Sequence, residues 1–315
     1  MSRVLKNYRN TSGSDEKALK SLSENSTPIS EFSFSNLCLK QNFIKYLVEE
    51  RSNLYTFLIP GCDIGEILPY LDYERTKVFS KLSVYAPLGS DLDGLDKYYY
   101  HMLLIDPSSN DLIGAQRLRF NFLNRKIFSD QSYLEQSNPG FHEKLVSKNR
   151  NFVEVGRTFV TEKYKNRTWL KELIRGFVRI PASIGINFVY GLVSFNHLLY
   201  NQNTISYFIN SLEKYTLLGD LGLVKSSVLS SSLLNTDILD LKELEKLIQL
   251  KDSNFRIPTV LYMYSLYCNV KYEGYSIADN YNKIMQLLFS GSVDSINEKY
   301  CSSLKSYGID LDWIN

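Results

Sequence analysis

The chain has 315 residues, 44% hydrophobic and 22% charged, with a formal net charge of +2. That length supports one large domain or two modest ones around a real core, and near-neutrality argues against a dedicated nucleic-acid binder, which carries a basic excess. Four cysteines without CxxC spacing, none grouped with the three histidines, give no metal site and suit a reducing cytoplasm.

Residues 1–29 are rich in Ser, Asn, Lys and Glu and lack the apolar core of a signal peptide, which predicts a flexible tail. No apolar run approaches the ~20 residues that span a bilayer. From Asn36 to Glu50 the residues Leu37, Leu39, Phe43, Ile44, Leu47 and Val48 follow a helical spacing. Tyr55 to Ile59, ended by Pro60 and Gly61, predicts a buried strand. A second helix is expected over about Ile64 to Leu82, with Pro69 marking a kink or a late start. His101 to Ile105 and Leu112 to Phe120 flank the turn formers Asp106-Pro107-Ser108-Ser109-Asn110 and predict a hairpin. Phe152 to Val160 is a further strand, and Gly156 in its interior signals a bulge or a close approach.

A helix over Trp169 to Gly185, a strand over Asn187 to Val193 and a helix over Thr204 to Tyr215 complete an α+β pattern, a sheet with helices packed on it. Beyond lie a Leu/Ser-rich connector (Leu217 to Leu234), a helix (Leu241 to Gln249), an aromatic segment (Ile257 to Tyr281) and a last helix (Val293 to Tyr307). The expected division is therefore a tail (1–29), a main domain (30–215) and a C-terminal extension packing on it (216–315).

Four motifs follow one another in order. They are an arginine on the early helix (Arg75), a D-x-D-x-x-D element (Asp91, Asp93, Asp96), a G-A-x-R-L strand (Gly114 to Leu118) and an E-x-G-R strand (Glu154 to Arg157). Across about residues 40–305 the chain resembles the bacterial, hemolysin-like family of ornithine-lipid and glycine-lipid N-acyltransferases. That family is similar in fold to N-acyl amino acid synthases and acyl-homoserine-lactone synthases. The resemblance implies a GNAT-like mixed central sheet with flanking helices and a C-terminal extension. It also implies transfer of a long acyl chain from acyl carrier protein to the amino group of an amino acid or related amine. The donor would be an acyl-ACP or acyl-CoA thioester, with no cofactor, no metal and no nucleic acid. The implied location is the cytoplasm, compatible with peripheral membrane contact. An autoinducer-type synthase and an inactive acyl- or carrier-binding protein are the competing readings.

N-acylation needs a deprotonated amine, a thioester carbonyl beside it and stabilisation of the oxyanion. Glu154 is the candidate base, directly or through water, and Arg157 its companion. In a regular strand the two point to opposite faces unless Gly156 marks a bulge; on residue type alone they read as a surface pair on an edge strand. Arg75, Asp91, Asp93 and Asp96 are candidates for ordering the acceptor. The acidic element also reads as a solvated loop or a hard-cation site, and Arg75 as an ordinary helix arginine.

The stretch Thr161 to Trp169 lacks the glycine-rich phosphate cradle of acetyl-CoA enzymes. In its place Lys163, Lys165, Arg167, Lys171, Arg175 and Arg179 form either a docking patch for an acidic carrier protein or a plain solvated face. Ser194, Asn196 and Tyr200 follow the strand over Asn187 to Val193, where similar enzymes bind ligand, and His101 matches a family histidine with a structural reading. No G-x-S-x-G elbow is present. Ser276 to Tyr281 stands where relatives carry an acidic segment, a difference that implies altered acceptor recognition.

Overall fold

The computed structural model describes residues 41–51, 53–81, 90–122, 129–215, 240–267, 270–278 and 283–292. The tail, the Leu/Ser-rich connector and the helix expected over 293–307 lie outside the described residues. In chain order the elements are α1 (Gln41–Ile44), β1 (Leu47–Arg51), β2 (Leu54–Pro60), α2 (Leu68–Ser80), β3 (Tyr100–Asp106), β4 (Asp111–Asn121), α3 (Tyr133–Ser137) and α4 (Phe141–Ser147). Then follow β5 (Phe152–Val160), α5 (Arg167–Ser183), β6 (Phe188–Phe195), α6 (Gln202–Tyr215), α7 (Leu241–Gln249), α8 (Thr259–Tyr267), β7 (Lys271–Ala278) and β8 (Ile284–Ser292).

The eight strands form one mixed sheet in the order β1-β2-β3-β4-β5-β6-β8-β7. Every pairing is antiparallel except β5 with β6. That exception follows from connectivity, since a parallel neighbour needs a crossover and α5 supplies it. Pro69 sits at the first turn of α2 and gives the late start.

Two expectations change. The helix expected over Asn36 to Glu50 is confined, among described residues, to Gln41–Ile44, and Leu47–Arg51 is the edge strand β1, paired from Leu47↔Phe57 to Arg51↔Leu54. Its Glu-Glu-Arg run has no apolar face to bury as a helix, whereas as a strand it completes β2 and presents Glu49 to α5. The division after residue 215 falls inside one continuous sheet, because β8 pairs with β6 and β7 with β8. Much of the aromatic segment is α8 followed by β7, and α3 and α4 have no counterpart in the sequence pattern.

Strand alternation sorts the core onto two faces. On one, Met102, Leu104, Leu118, Val153 and Val155 meet Leu173, Ile174, Phe177 and Val178 of α5. The same face continues as Val193, Phe195, Leu287 and Phe289 under α6, α7 and α8. On the other, Phe57, Ile59, Leu103, Ile105, Ala115 and Phe159 meet Leu71 of α2, and Phe152, Tyr190 and Leu288 lie under α3 and α4.

Two irregularities shape the second face. β5 and β6 pair only from Phe152↔Phe188 to Val155↔Gly191, and beyond that the strands run on unpaired with each other. β5 also bulges against β4. Arg117 pairs with Gly156 and Ala115 with Phe159, so Arg157 and Thr158 together oppose Gln116. Arg157 takes φ 52°, a left-handed conformation uncommon for a non-glycine residue.

The glycine of the G-A-x-R-L strand is dictated by the same crowding. A Cβ at residue 114 would lie 2.6 Å from the Phe159 carbonyl oxygen and 3.3 Å from Leu173 Cδ1. Gly114→Ala is expected to destabilise the fold by about 1–3 kcal/mol, read as a lower urea midpoint with an unchanged m-value. An unchanged midpoint would show that β4 and β5 are free to separate there.

Candidate active site

The face under α2 carries an ionic lattice built from four places in the chain. Arg75 on α2 points to the loop before β3, where its Nε lies 2.8 Å from Asp91 Oδ2 and its Nη1 donates to Asp96 Oδ1 at 2.9 Å. Its Nη2 donates to the Asp91 carbonyl oxygen at 2.8 Å. Arg117 on β4 grips Asp93 with both terminal nitrogens, at 2.7 and 3.0 Å, and reaches Asp96 Oδ1 at 3.2 Å. Its guanidinium carbon stacks 4.5 Å from the centre of the Tyr99 ring. Arg157 closes the lattice with contacts of 3.2 Å to both Asp91 Oδ1 and Asp93 Oδ2. The bulge at Gly156-Arg157 thus performs the realignment on which the sequence expectation depended.

Three guanidinium groups face three carboxylates, so the six charges cancel. Removing one partner from such a buried set is costly, because the other charge is left uncompensated. Burial alone would push the Asp96 carboxyl up, but the guanidinium groups of Arg75 and Arg117 overcome it and hold it far below the usual range. Asp93 is likewise held low, burial being outweighed by Arg117 and Arg157. Burial drives the His101 imidazole down to about 4, against the pull of Asp96. The ring is therefore neutral at pH 7, with Nε2 3.0 Å from the Asp96 carbonyl oxygen. The lattice is sealed at the Arg75 end and opens at the other, where the Asp93 and Arg157 side chains remain 21% and 13% exposed.

Glu154 lies on the same face, 2% exposed. Its Oε1 accepts from the Tyr99 hydroxyl at 2.5 Å and from Leu134 N–H at 2.9 Å, and its Oε2 accepts from the Ser132 hydroxyl at 2.8 Å. Burial raises its pKa against the opposing effect of these three donors. A carboxylate offers about four acceptor positions, so Oε2 keeps one for a water or a substrate proton. Ser132 also caps α3, accepting from Glu135 N–H, and Tyr133 N–H donates to the Tyr99 hydroxyl. Glu154 therefore fixes the start of α3 over the place where β5 and β6 part.

The sequence-predicted residues divide clearly. Arg75, Asp91, Asp93, Asp96 and Arg157 meet in one lattice, with Glu154 on the same face of the sheet. Arg117, the arginine of the G-A-x-R-L motif, also belongs to that lattice; Tyr99, Ser132 and Tyr133 carry no sequence signal. Among the described residues no group of three or more His, Cys, Asp or Glu side chains is arranged to hold a metal ion.

The basic face is dispersed. Arg175 and Arg179 turn inward and share Glu49 Oε1 at 3.0 Å each, in a small cleft on the opposite face of the sheet. Arg175 also contacts Glu172 at 3.2 Å. Lys163 pairs with Asp111, Lys171 lies over the Tyr267 ring, and Lys165 is exposed. The described part of Arg167 is its backbone, the first residue of α5. At the start of α5 the side chain of Asn166 accepts from Thr168 and Trp169 N–H at 2.9 and 3.2 Å. Those amides, the position of an anion cradle, are engaged by the protein itself.

Residues 75–175 match the family model described as an acetyltransferase (GNAT) domain, a span that runs from Arg75 through the acidic loop, β3, β4 and β5 into α5. Residues 75–175 are thus similar to a GNAT acetyltransferase domain, and the mixed sheet of eight strands has the GNAT fold. No curated protein sequence matches it. Among solved structures it is similar to FeeM, an N-acyl amino acid synthase from uncultured soil microbes. That match has 7% identity and a TM-score of 0.42, covering 76% of this chain and 92% of that one. The acyl-homoserine-lactone synthase LasI gives 13% identity and a TM-score of 0.38, over 78% and 90% of the two chains. A GNAT-family acetyltransferase from Bacillus anthracis gives 11% and 0.34, over 79% and 99%. These are likenesses of fold.

The buried imidazole predicts a specific acid response. Between about pH 6.5 and 4 the unfolded chain binds a proton at His101 that the folded chain does not, so stability falls as pH drops through that window. The loss is on the order of 2–3 kcal/mol; Asp96, with its folded value lowered, adds to it only below the ordinary carboxylate range. Urea midpoints measured at pH 7 and pH 4.5 are expected to differ for the wild type and to differ less for His101→Gln, in which His142 and His197, also lowered by burial, keep the remainder. Equal differences in both proteins would place the acid response elsewhere.

Proposed function

We propose that the protein transfers a long acyl chain from a carrier-bound thioester to the amino group of a small amino acid or related amine. The observation that carries this reading is the corner where the open end of the ionic lattice, the bulged stretch of β5 that has parted from β6 and buried Glu154 come together. A zwitterionic acceptor suits that end. Its ammonium can approach Asp93 while its carboxylate approaches Arg157, replacing two 3.2 Å contacts with the protein by complementary ones. Arg75, Asp91 and Asp96, sealed behind, hold Asp93 and Arg157 in place.

Glu154 then serves as the base. The ammonium proton passes through a water, or through the Ser132 hydroxyl, to the remaining position on Oε2. A carboxylate whose pKa is raised by burial is a stronger base than a solvated one and is closer to the operating pH. Backbone N–H groups of β5 beyond Val155, unmatched by β6, are candidates to stabilise the oxyanion as the amine attacks the thioester carbonyl. The attacking nitrogen gives up its second proton to the departing thiolate, which leaves as a thiol, and an amide remains.

The capped start of α5 and its lack of a glycine-rich loop favour acyl carrier protein over coenzyme A as donor, since a pyrophosphate would find Thr168 and Trp169 N–H already bonded. Exposed Lys165, with Lys163 and Lys171, would meet the acidic carrier. Arg175 and Arg179 are excluded from that role by their bonds to Glu49. A cytoplasmic site fits this donor. Among the described residues no helix is long and apolar enough to cross a membrane.

The test is incubation with acyl-loaded carrier protein, acyl-CoA and a panel of amino acids, read by mass spectrometry of amide products. Glu154→Gln is expected to lower kcat by about 10²–10⁴-fold while the melting temperature stays within a few degrees. Absence of an amide with every donor and acceptor would sink the reading. An active Glu154→Gln variant would leave the reaction but move the base elsewhere.

A further inference from the structure

The register of β6, β8 and β7 sets Ser194, Gln286 and Ser276 side by side, Ser194↔Gln286↔Ser276, on the face that carries the candidate site. Ser194 lies past Gly191, where β6 has left β5, and it is exposed, so this face is open to solvent there. Gln286 beside it is only 5% exposed. Its Nε2 donates to the Tyr133 hydroxyl at 2.6 Å, yet among the described residues its buried Oε1 has no hydrogen-bond partner, and neither has Ser276 Oγ. An orphaned buried acceptor is destabilising, and native proteins tolerate few of them. Two on neighbouring strands, next to an open surface, describe a place that a ligand completes.

Tyr133 joins this row to the reacting corner. Its N–H donates to the Tyr99 hydroxyl that bonds Glu154, and its ring lies 5.9 Å from the Arg157 guanidinium carbon. Its own hydroxyl ends at Gln286. The row is thus one tyrosine away from the residues assigned to the acceptor's amine and carboxylate.

We infer that Ser194, Gln286 and Ser276 form a seat for an uncharged hydrogen-bond donor on the acceptor, a hydroxyl or a carboxamide, beyond its reacting amine. The inference rests on the N-acyltransferase reading and deepens it. None of the three side chains carries a charge, so an ammonium seated there would be desolvated without a counter-ion. An apolar side chain would leave Gln286 Oε1 orphaned. Sites built to bond a substrate hydroxyl or N–H reject the analogue that lacks it far more strongly than apolar pockets reject a missing methylene.

The experiment compares near-isosteric acceptors, threonine against valine and glutamine against methionine, with the full chain and an acyl donor. The wild type is expected to prefer threonine and glutamine by about tenfold or more in kcat/KM. Gln286→Met and Ser276→Ala are expected to collapse both ratios while leaving the KM of the acyl donor unchanged. Equal rates on the isosteres in the wild type, or ratios untouched in both variants, overturn the inference. A second measurement needs no turnover. Millimolar glutamine should raise the melting temperature of the wild type but not of Gln286→Met, each compared with its own unliganded value, since the variant also loses the bond to Tyr133. No shift by glutamine in the wild type, or an equal shift in the variant, refutes the seat. Lack of any amide product with wild-type protein refutes the acyltransferase reading separately, and the melting data still decide the seat.

Discussion

Burying Arg75 and Arg117 at 2% exposure each is the commitment around which the rest of the molecule is arranged. A guanidinium group cannot shed its charge at any pH a protein meets, so carboxylates must be brought to it. The loop over residues 90–96 does this, delivering Asp91, Asp93 and Asp96 to the sheet surface while Asp72 of α2 holds the loop by its Asp91 N–H. The same demand reaches Gly61 at the end of β2. A Cβ there would lie 2.1 Å from the Asp96 carbonyl oxygen, so only glycine lets the loop settle close enough. His101, between the arginines and Asp96, can be only a neutral donor.

The second organising group is Glu154, which is less an isolated base than a fastening for the segment above it. By taking the Tyr99 hydroxyl, the Ser132 hydroxyl and Leu134 N–H, it ties β5, the end of the acidic loop and α3 into one body. Arg119 secures the same segment from β4, donating to the Gln131 carbonyl oxygen at 2.6 Å. The site is therefore positioned by strands and capped helix starts rather than by free loops, which suits chemistry that tolerates little misplacement.

How much of this could be read from the residues depends on the distance over which each feature is determined. Strands with clean alternation and turn formers, such as β3, β4 and β5, are evident locally. β1 is not, because its charged run acquires meaning only against Arg175 and Arg179 more than a hundred residues on. β7 (KYEGYSIA) shows no clean alternation, β8 (IMQLLFSGS) is a short apolar run that fits a helix as well as a strand, and their partner β6 lies far upstream, so periodicity alone leaves them unmarked. In the site, ordered motifs point to Arg75, the three aspartates, Glu154 and Arg157, and the bulge expected at Gly156 is present. The reading of a basic face along α5 misleads at Arg175, since helical spacing reports which residues share a side but not which acids wait beneath it. Tyr99, Ser132 and Tyr133 are ordinary in sequence and become significant only through the hydrogen bonds they make.

The insertion of β8 between β6 and β7 bears on how the protein is made. All six members of the ionic lattice have been synthesised by residue 157, yet Gln286 and Ser276 on the same face of the sheet follow more than a hundred residues later. Until that segment arrives, the outer edge of β6 stands open with its backbone groups unclaimed, inviting pairing with a neighbouring chain. The first strands of the sheet must therefore wait, shielded, for the last to be translated.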